Sequence, residues 1–459
     1  MPKSHESTSE TQKASGFVAT PKQRILKLAS LSARVATHTA SRHMKGLFQS
    51  SEAKEASLSD FYQRIGDEMA ETLGQMKGAV MKVGQIASQM KDIFPPEIAE
   101  ALATLQNTSQ PMPFSVIEEQ IKAQLGENAE ELLHSMVQEP HAAASIGQVH
   151  RAQLANGEQV IVKVQYPGVR ESCEADLKHL RQLFQLGGLL KVDPNVIEAL
   201  FQEVKTLLFK ELDYASESQN LVRFQEFYQQ DASMVIPRVH GAYSTQQILT
   251  LSYEDGMGLN DDALSQQSVE DRNWIGDRLF NMVCEQLFQL KTLHVDPHPG
   301  NFAYRINESG DRQLIIYDFG AIKDLPEDMI NPLKELVLAC LDRRYDQIEA
   351  LLKARGLRRP DTPALDGAYY HQWLDIILQP FQDQVYDFSQ TDLHRKVAEK
   401  IRKSVFQGLK LFQPTPESIH LDRVFSGHYW NLILLGAKLN LHPKLMPYLQ
   451  KESGGSIYE

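Results

Sequence analysis

The sequence of 459 residues predicts an α+β fold in which a small strand-rich lobe is followed by a larger helical lobe. The first observation is a change of hydrophobic period, from helical spacing to the alternation typical of strands over residues 146–154 and 159–165. The second is a return to helical spacing after about residue 256, with one predicted interruption, a short hairpin over 301–317. The third is the order of four short motifs, around Lys163, Glu217, Asp296 and Asp318, whose side chains together are typical of one chemical site.

The predicted elements follow one another with short connections. The two strands meet at Asn156-Gly157, a pair that favours a tight hairpin turn. In the second strand Val160, Val162 and Val164 share one face and Lys163 points to the other. Two more strands are predicted at 238–243 and 247–253. Helices are predicted at 58–90, 97–106, 115–124, 195–228, 271–293, 326–343 and 345–354, with several more to the end.

Four domains are predicted from these patterns. A basic tail, rich in Ser, Thr and Lys at its start, covers residues 1–56 and is partly disordered. A helical extension covers 57–135, the strand-rich lobe 136–255 and the helical lobe 256–459. The sequence contains no internal repeat.

Composition excludes several classes of protein. The formal charge of -12 argues against general nucleic-acid binding, which needs a basic surface. The three cysteines are widely spaced, which excludes a disulfide framework or a cysteine zinc site and predicts a reducing compartment such as the cytoplasm. No apolar run approaches the roughly 18–20 residues needed to span a bilayer.

The tail is basic, in contrast to the acidic chain as a whole. Between Thr11 and Ser51 there is no Asp or Glu, whereas seven Lys and Arg side chains occur. A basic amphipathic helix within residues 17–50 predicts peripheral contact with an anionic membrane. The alternative is that the same apolar face docks on the protein's own domain.

The four motifs are typical of a phosphoryl-transfer site of the protein-kinase type. Lys163 on the second strand can contact nucleotide phosphates, and Glu217 on a later helix can orient it. Asp296 and Asn301 are five residues apart, as in a kinase catalytic loop, and Asp318-Phe319-Gly320 follows the next strand. Asp296 is the predicted catalytic carboxylate, and Asn301 with Asp318 would hold Mg²⁺. The predicted cofactors are ATP or ADP and Mg²⁺.

His294 and His298 allow a competing prediction, because His-x-Asp-x-His can ligate zinc. The remaining histidines are scattered singly and supply no second cluster, so His294 is expected instead to brace the loop by hydrogen bonding.

Two features differ from ordinary protein kinases. The phosphate loop reads Ala142-Ala143-Ala144-Ser145, and its methyl groups hinder the closest backbone approach to phosphates. In addition, a helix starts near Pro326, soon after Asp318-Phe319-Gly320, which leaves no long segment to bind a peptide. A lipid or other small-molecule acceptor, or plain ATP hydrolysis, is therefore predicted.

These residues resemble the UbiB/AarF (ADCK-type) family of atypical kinases over more than half of the chain. The resemblance rests on AAASIGQVHRA at 142–152, VKVQ at 162–165, HVDPHPGNF at 294–302 and the KxGQ motif that contains Lys82 and Gln85. Glu211 and Asp213 match the ExD motif of that family, and Glu217 matches its helix glutamate.

The resemblance implies a bilobal protein-kinase-like fold with an N-terminal helical extension. It implies that Ala142, Ala143, Ala144 and Ser145 cover the phosphates. Lys82 and Gln85 would meet Glu211 and Asp213 as a gating element. Ser252 and Tyr253 fall in the stretch that contacts adenine, with Ser252 where the family usually carries Glu.

The activity implied by the resemblance is nucleotide binding with slow ATP hydrolysis or phosphoryl transfer in ubiquinone-type isoprenoid-lipid metabolism, with a lipid or quinone precursor as partner. Two alternatives remain open. One is a small-molecule phosphotransferase similar to the antibiotic kinases, and the other is a pseudokinase scaffold that binds nucleotide without turnover.

Overall fold

A computed structural model of the chain describes residues 21–46, 51–74, 95–104, 111–143, 146–185 and 194–450. The chain forms two compact units. Unit 1 comprises Met1–Ser216 and His240–Ser252, and unit 2 comprises Glu217–Val239 and Tyr253–Glu459. The limits of the four predicted domains stay a prediction.

Unit 1 contains a group of helices around one apolar core. The first, α1 (Pro21–Gly46), buries Leu28, Leu31 and Val35. These side chains share their core with Ile65 and other residues of α2 (Ser51–Gly74). The other helices of this unit are α3 (Pro96–Ala103), α4 (Phe114–Leu125), α5 (Ala129–Ser135), α6 (Val169–Gln185) and α7 (Pro194–Glu211).

These three side chains of α1 therefore dock on the protein's own domain, as the alternative for the tail predicted. An ion pair adds to this docking, because Arg24 of α1 contacts Asp176 of α6 and both side chains are buried. Leu26 is an exception, with an exposed fraction of 72%. Peripheral membrane contact through residues 17–50 stays a prediction. Within the ranges given above, no helix is both long and apolar enough to cross a membrane.

The sheet of unit 1 is antiparallel and has four strands. Its order is β1 (Ala142–Ala143), β2 (Gly147–Gln153), β3 (Gln159–Gln165) and β5 (Ile248–Ser252), while β4 (Met234–Val235) lies in unit 2. Gly157, with φ +86°, closes the predicted hairpin between β2 and β3. The three valines of β3 are fully buried and Lys163 lies half-buried on the opposite face, as predicted.

Unit 2 contains a second four-stranded sheet of order β4-β9-β8-β6, formed with β6 (Met257–Gly258), β8 (Phe302–Ile306) and β9 (Arg312–Ile316). A small pair, β7 (Thr292–His294) and β10 (Ile322–Asp324), lies beside the key motifs in sequence. A third pair joins β11 (Tyr386–Asp387) to β12 (Lys438–Leu439). The helices are α8 (Tyr214–Tyr228), whose first residues belong to unit 1, α9 (Val269–Glu285), α10 (Glu327–Leu341), α11 (Tyr345–Ala354), α12 (Gly367–Ile377), α13 (Leu393–Leu411), α14 (Pro416–Leu435) and α15 (His442–Gln450).

Several predicted elements are wrong in detail. The strand predicted at 238–243 is instead a 3-10 turn at Gly241–Tyr243, because Pro237 cannot donate to a ladder and the short strand ends at Val235. The helix predicted over 195–228 breaks before Asp213, which caps α8. The helix predicted over 271–293 ends in a π-helical turn at Gln286–Leu290, and Lys291 leaves it with φ +56°. The hairpin over 301–317 was predicted to be the one interruption of the helices after residue 256. The structure has further short strands there, namely β6, β7, β10, β11 and β12.

Candidate functional site

Lys163 lies on the central part of unit 1's sheet. It is paired with Val149 of β2 and Leu249 of β5, so its backbone position is fixed on both sides. Its Nζ lies 5.6 Å from the centroid of the Tyr214 ring, within range of a cation–π interaction. The strand and the aromatic ring together orient the ammonium group that the sequence predicted to contact phosphates.

The ExD motif connects α7 to α8 and is anchored through its middle residue. The carbonyl oxygen of Leu212 accepts hydrogen bonds from Gln165 Nε2 at 3.1 Å and Arg170 Nη1 at 3.0 Å. Asp213 Oδ1 accepts from the Ser216 N–H at 3.1 Å and caps the following helix. Glu211 is half-buried next to this anchor. The end of β3 is thus tied to the segment that carries both acidic residues of the motif.

Three other predicted nucleotide contacts of unit 1 lie along the same sheet. Ala142 and Ala143 form the edge strand β1 and pair with Val149 and Gln148. Ser252 ends β5 opposite Val160 and is 9% exposed. Four predicted site residues lie outside the described residues: Lys82, Gln85, Ala144 and Ser145.

In unit 2 the predicted catalytic loop follows β7 and is closed by an internal hydrogen bond. Asn301 Nδ2 donates to Asp296 Oδ2 at 2.8 Å and to the Asp296 carbonyl at 3.2 Å. His298 Nδ1 accepts from the Gly300 N–H at 3.1 Å inside the same turn. The two residues predicted to act on the acceptor and the metal are therefore brought together by one short turn.

The Asp318-Phe319-Gly320 segment lies directly beside this loop. The Tyr317 N–H donates to the Asn301 carbonyl, and the Val295 N–H donates to the Ala321 carbonyl, each at 2.9 Å. Asp318 Oδ1 accepts from the Gly320 N–H at 2.9 Å. Backbone hydrogen bonds therefore hold Asp296, Asn301 and Asp318 on adjacent chain segments.

The buried side chain of Phe319 anchors the Asp318-Phe319-Gly320 segment. Its ring is fully buried and lies 5.0 Å from that of Phe224 on α8. Asn220 of the same helix donates from Nδ2 to the Phe319 carbonyl at 3.0 Å. Glu217, one turn earlier on α8, is 4% exposed. Tyr253 of this unit donates its hydroxyl to Asp255 Oδ1 at 3.1 Å.

His294 braces the loop, as predicted. Its ring is buried, its Nε2 donates to the Asp318 carbonyl, and its backbone N–H donates to Gln286 Oε1 at 3.0 Å. Burial lowers the pKa of His294, because the charged ring would lose its hydration, so the imidazole is neutral. Within the described ranges, no group of three or more His, Cys, Asp or Glu side chains could hold a metal ion, which gives the zinc alternative no support.

The donor set of this loop fits Mg²⁺ better than zinc. Mg²⁺ prefers oxygen ligands and is usually bound through one or two protein groups together with substrate phosphates. Asn301 turns its amide nitrogen toward Asp296, so its amide oxygen is the atom for a metal, and Asp318 supplies a carboxylate. The metal assignment of both residues stays a prediction.

Sequence reasoning missed three residues of α14 that contact the catalytic loop. Arg423 Nη2 lies 3.3 Å from Asp296 Oδ1, and Asn431 Nδ2 donates to the Pro297 carbonyl at 2.9 Å. Gly427 packs on the Pro297 ring so closely that a Cβ there would lie 2.0 Å from its Cγ. The spacing of four residues places all three on one helix face, but spacing does not reveal what that face contacts.

Comparison with known proteins gives similarity over most of the chain. Residues 104–352 match the sequence model of the ABC1 atypical kinase-like domain. "Atypical kinase COQ8, mitochondrial" of Saccharomyces cerevisiae is 28% identical over 445 residues, which cover 95% of this chain and 86% of that protein. The protein of the same name in Schizosaccharomyces pombe is 30% identical over 82% of this chain and 61% of its own length.

A solved structure is similar over almost its whole length. The Rv3197–erythromycin complex from Mycobacterium tuberculosis has a TM-score of 0.58 and 25% identity, covering 88% of this chain and 98% of that one. The predicted α+β fold of the protein-kinase-like, bilobal class is confirmed by this similarity together with the matched domain.

Proposed function

The chain belongs to the ABC1 atypical kinase-like family, the UbiB/AarF family that its motifs resemble, and we propose that it binds Mg-nucleotide and carries out slow ATP hydrolysis or phosphoryl transfer. The observation that carries this proposal is the hydrogen-bonded pairing of the loop of Asp296 and Asn301 with the loop of Asp318. This pairing brings a general base, Asp296, and two oxygen ligands for a metal, from Asn301 and Asp318, onto adjacent and pre-organised loops. Phosphoryl transfer requires such positioning.

In the proposed reaction each residue has one role. Lys163 contacts the phosphates, Glu217 orients it, and Asn301 with Asp318 would hold Mg²⁺, which neutralises charge on the phosphate oxygens when bound. The acceptor hydroxyl oxygen forms a bond to the γ-phosphorus, and its proton passes to the Asp296 carboxylate. The bond from that phosphorus to the β–γ bridging oxygen breaks, and ADP leaves with the electron pair. With water as acceptor the same step is ATP hydrolysis.

A small-molecule acceptor is proposed in preference to a protein. The strand β10 ends at Asp324 and α10 begins at Glu327, so only two residues separate them where a protein kinase needs a peptide platform. Coupling to isoprenoid-lipid metabolism of the ubiquinone type, with a lipid or quinone precursor as partner, is supported by the motif resemblance and by relatives named atypical kinase COQ8. A peripheral membrane contact and a cytoplasmic location belong to the same proposal.

The test is a thermal shift of the full chain with and without Mg-ATP. We expect Asp318→Asn to abolish the Mg²⁺-dependent stabilisation by nucleotide, because the site would lose the negative charge that attracts the metal and keep only neutral amide oxygens. Asp296→Asn is the matched control in the neighbouring loop and should keep the shift while losing turnover by a factor of roughly 10²–10⁴. An unchanged Mg-ATP shift in Asp318→Asn would refute the metal assignment.

A further inference from the structure

Two buried histidines of unit 2 each have one ring nitrogen without a hydrogen-bond partner among the described residues. These atoms are Nδ1 of His294 and Nε2 of His428. The two side chains come from distant parts of the chain, since His294 ends β7 and His428 lies within α14. A buried polar atom that makes no hydrogen bond destabilises a fold, so two of them in one region require an explanation.

The two rings lie in the same part of the core. Each packs edge-on against Phe302, with ring centroids 5.7 Å apart for His294 and 5.4 Å apart for His428. Their exposed fractions are 1% and 6%. After burial, the nearby His294 is the second cause that lowers the pKa of His428. The unpartnered nitrogens therefore belong to one buried polar region behind the predicted catalytic loop.

The contact of His294 with the metal loop fixes which of its nitrogens carries the hydrogen. Nε2 of His294 lies in hydrogen-bond contact with the carbonyl oxygen of Asp318. A carbonyl oxygen only accepts, so Nε2 is the donor and carries the hydrogen. Because burial keeps this imidazole neutral, its Nδ1 carries none and can only accept.

The neighbours of His428 fix the opposite role for its unpartnered atom. Nδ1 of His428 lies 3.5 Å from Nδ2 of Asn431, which also donates to the Pro297 carbonyl at 2.9 Å. An amide nitrogen only donates, so Nδ1 of His428 accepts. In the neutral ring the hydrogen then lies on Nε2, which is a donor. One unpartnered nitrogen is thus a donor and the other an acceptor.

We propose that His428 is a positioning residue for Asp318: its Nε2 donates to one bound water, and that water donates to Nδ1 of His294. A buried water needs at least two polar partners, and these two atoms supply them. The His294 ring is then held at both nitrogens, in the tautomer and orientation that bind the Asp318 carbonyl. The inference rests on the proposed function, since Asp318 matters there as a ligand of Mg²⁺.

The resulting hydrogen-bond chain gives α14 a part in the site. It runs from Asn431 through His428 and His294 to the backbone of Asp318. The helix that supplies its first two members lies after the matched domain at residues 104–352. A segment outside that domain would therefore hold the loop that carries the predicted metal ligand.

A magnesium titration of the full chain at a fixed ATP concentration tests this role. The measured quantity is the Mg²⁺ concentration at the midpoint of the nucleotide-dependent thermal shift. We expect His428→Leu to raise this midpoint roughly tenfold, because groups that orient a metal ligand act on the affinity for the metal. His428→Gln should stay near the wild-type midpoint, because its amide nitrogen can donate as the imidazole Nε2 does.

The matched control is Leu435→Ala, two helical turns further along α14. It truncates a side chain that is 1% exposed, so it destabilises the same helix but should leave the Mg²⁺ midpoint unchanged. An equal rise of the midpoint in His428→Leu and His428→Gln overturns the inference. So does a rise in neither variant, or one just as large in the Leu435 control.

A second measurement on the wild-type chain needs neither metal nor a stable leucine variant. Proton–nitrogen correlation NMR spectra of isotope-labelled protein show which nitrogen of an imidazole carries the hydrogen. The signals that are absent from His428→Gln belong to His428. We expect them to place the hydrogen on Nε2, and a hydrogen on Nδ1 overturns the inference.

A failure here is distinguishable from a failure of the proposed function. If the wild-type chain shows a Mg-ATP thermal shift whose midpoint His428→Leu does not change, only the role of His428 is wrong. If the wild-type chain shows no Mg-ATP shift, the proposed function is wrong and the role of His428 falls with it.

Discussion

Two aspartates of this protein each form an ion pair with an arginine from a distant part of the chain. The two pairs differ in burial and in the number of contacts between the side chains. In unit 1, Arg24 and Asp176 have side-chain exposures of 8% and 3%, and Arg24 Nε lies within 3.2 Å of both carboxylate oxygens. In unit 2, Arg423 and Asp296 are 53% and 35% exposed and share one contact of 3.3 Å. The first pair is sealed from solvent, and the second stays accessible.

The difference shows how burial decides what an ion pair does. Burial raises the pKa of Asp176 even though Arg24 donates hydrogen bonds to its carboxylate and carries the opposite charge. The loss of hydration therefore destabilises the ionised carboxylate by more than the arginine stabilises it. Such a pair fixes how α1 docks on α6, because neither partner can be left alone in the core. The exposed pair is screened by solvent and contributes little to the stability of the fold.

The largest expected effect on the free energy of unfolding comes from breaking the buried pair. Arg24→Leu should destabilise the protein by about 3–5 kcal/mol, because it leaves Asp176 buried without its partner. Urea unfolding of the full chain measures this loss. The matched control on the same helix is Arg34→Leu, which removes an exposed pair with Glu68 and should cost less than about 1 kcal/mol. Equal losses in both variants would contradict the distinction drawn between the pairs.

The buried imidazole of His428, on the same helix as Arg423, makes the stability depend on pH. Burial, and then the nearby His294, lowers the pKa of His428 to about 3, and its Nε2 has no hydrogen-bond partner among the described residues. The unfolded chain takes up a proton below about pH 6.5 whereas the folded chain does not, so stability falls as pH falls. Between pH 7 and pH 5 this histidine should account for a loss on the order of 2 kcal/mol.

Urea unfolding at the two pH values checks this effect. His428→Leu should flatten the pH dependence, because the side chain that takes up the proton only in the unfolded chain is gone. A pH dependence that survives in His428→Leu would show that other groups cause it.

The smallest expected effect on stability comes from the exposed pair itself. Arg423→Ala should change the free energy of unfolding by less than about 1 kcal/mol, because solvent screens the contact with Asp296. The same urea series measures it beside Arg24→Leu. A loss as large as that of the buried pair would mean that Arg423 holds α14 in place despite its exposure.

Much of the fold was predictable because it depends on local patterns. The alternation of Val160, Val162 and Val164 predicted which face of β3 is buried, and Asn156-Gly157 predicted the hairpin. Predictions failed where tertiary context overrides local preference, as at Asp213, where a cap divides a continuous helical pattern into two helices. The strand pairing of β7 with β10 joins residues about thirty positions apart, which no local pattern encodes.

The family and the order of the motifs were predictable without coordinates, because the residues of each motif lie within a few positions of one another. It also determined the turn that brings Asn301 to Asp296, since five residues and two prolines leave the chain few alternatives. The contact of Arg423 with Asp296, 127 positions away, and that of Gly427 with Pro297 became known only from the packing of α14 on the loop. Contacts between distant residues depend on how whole helices pack, and the period of one helix does not specify its neighbour.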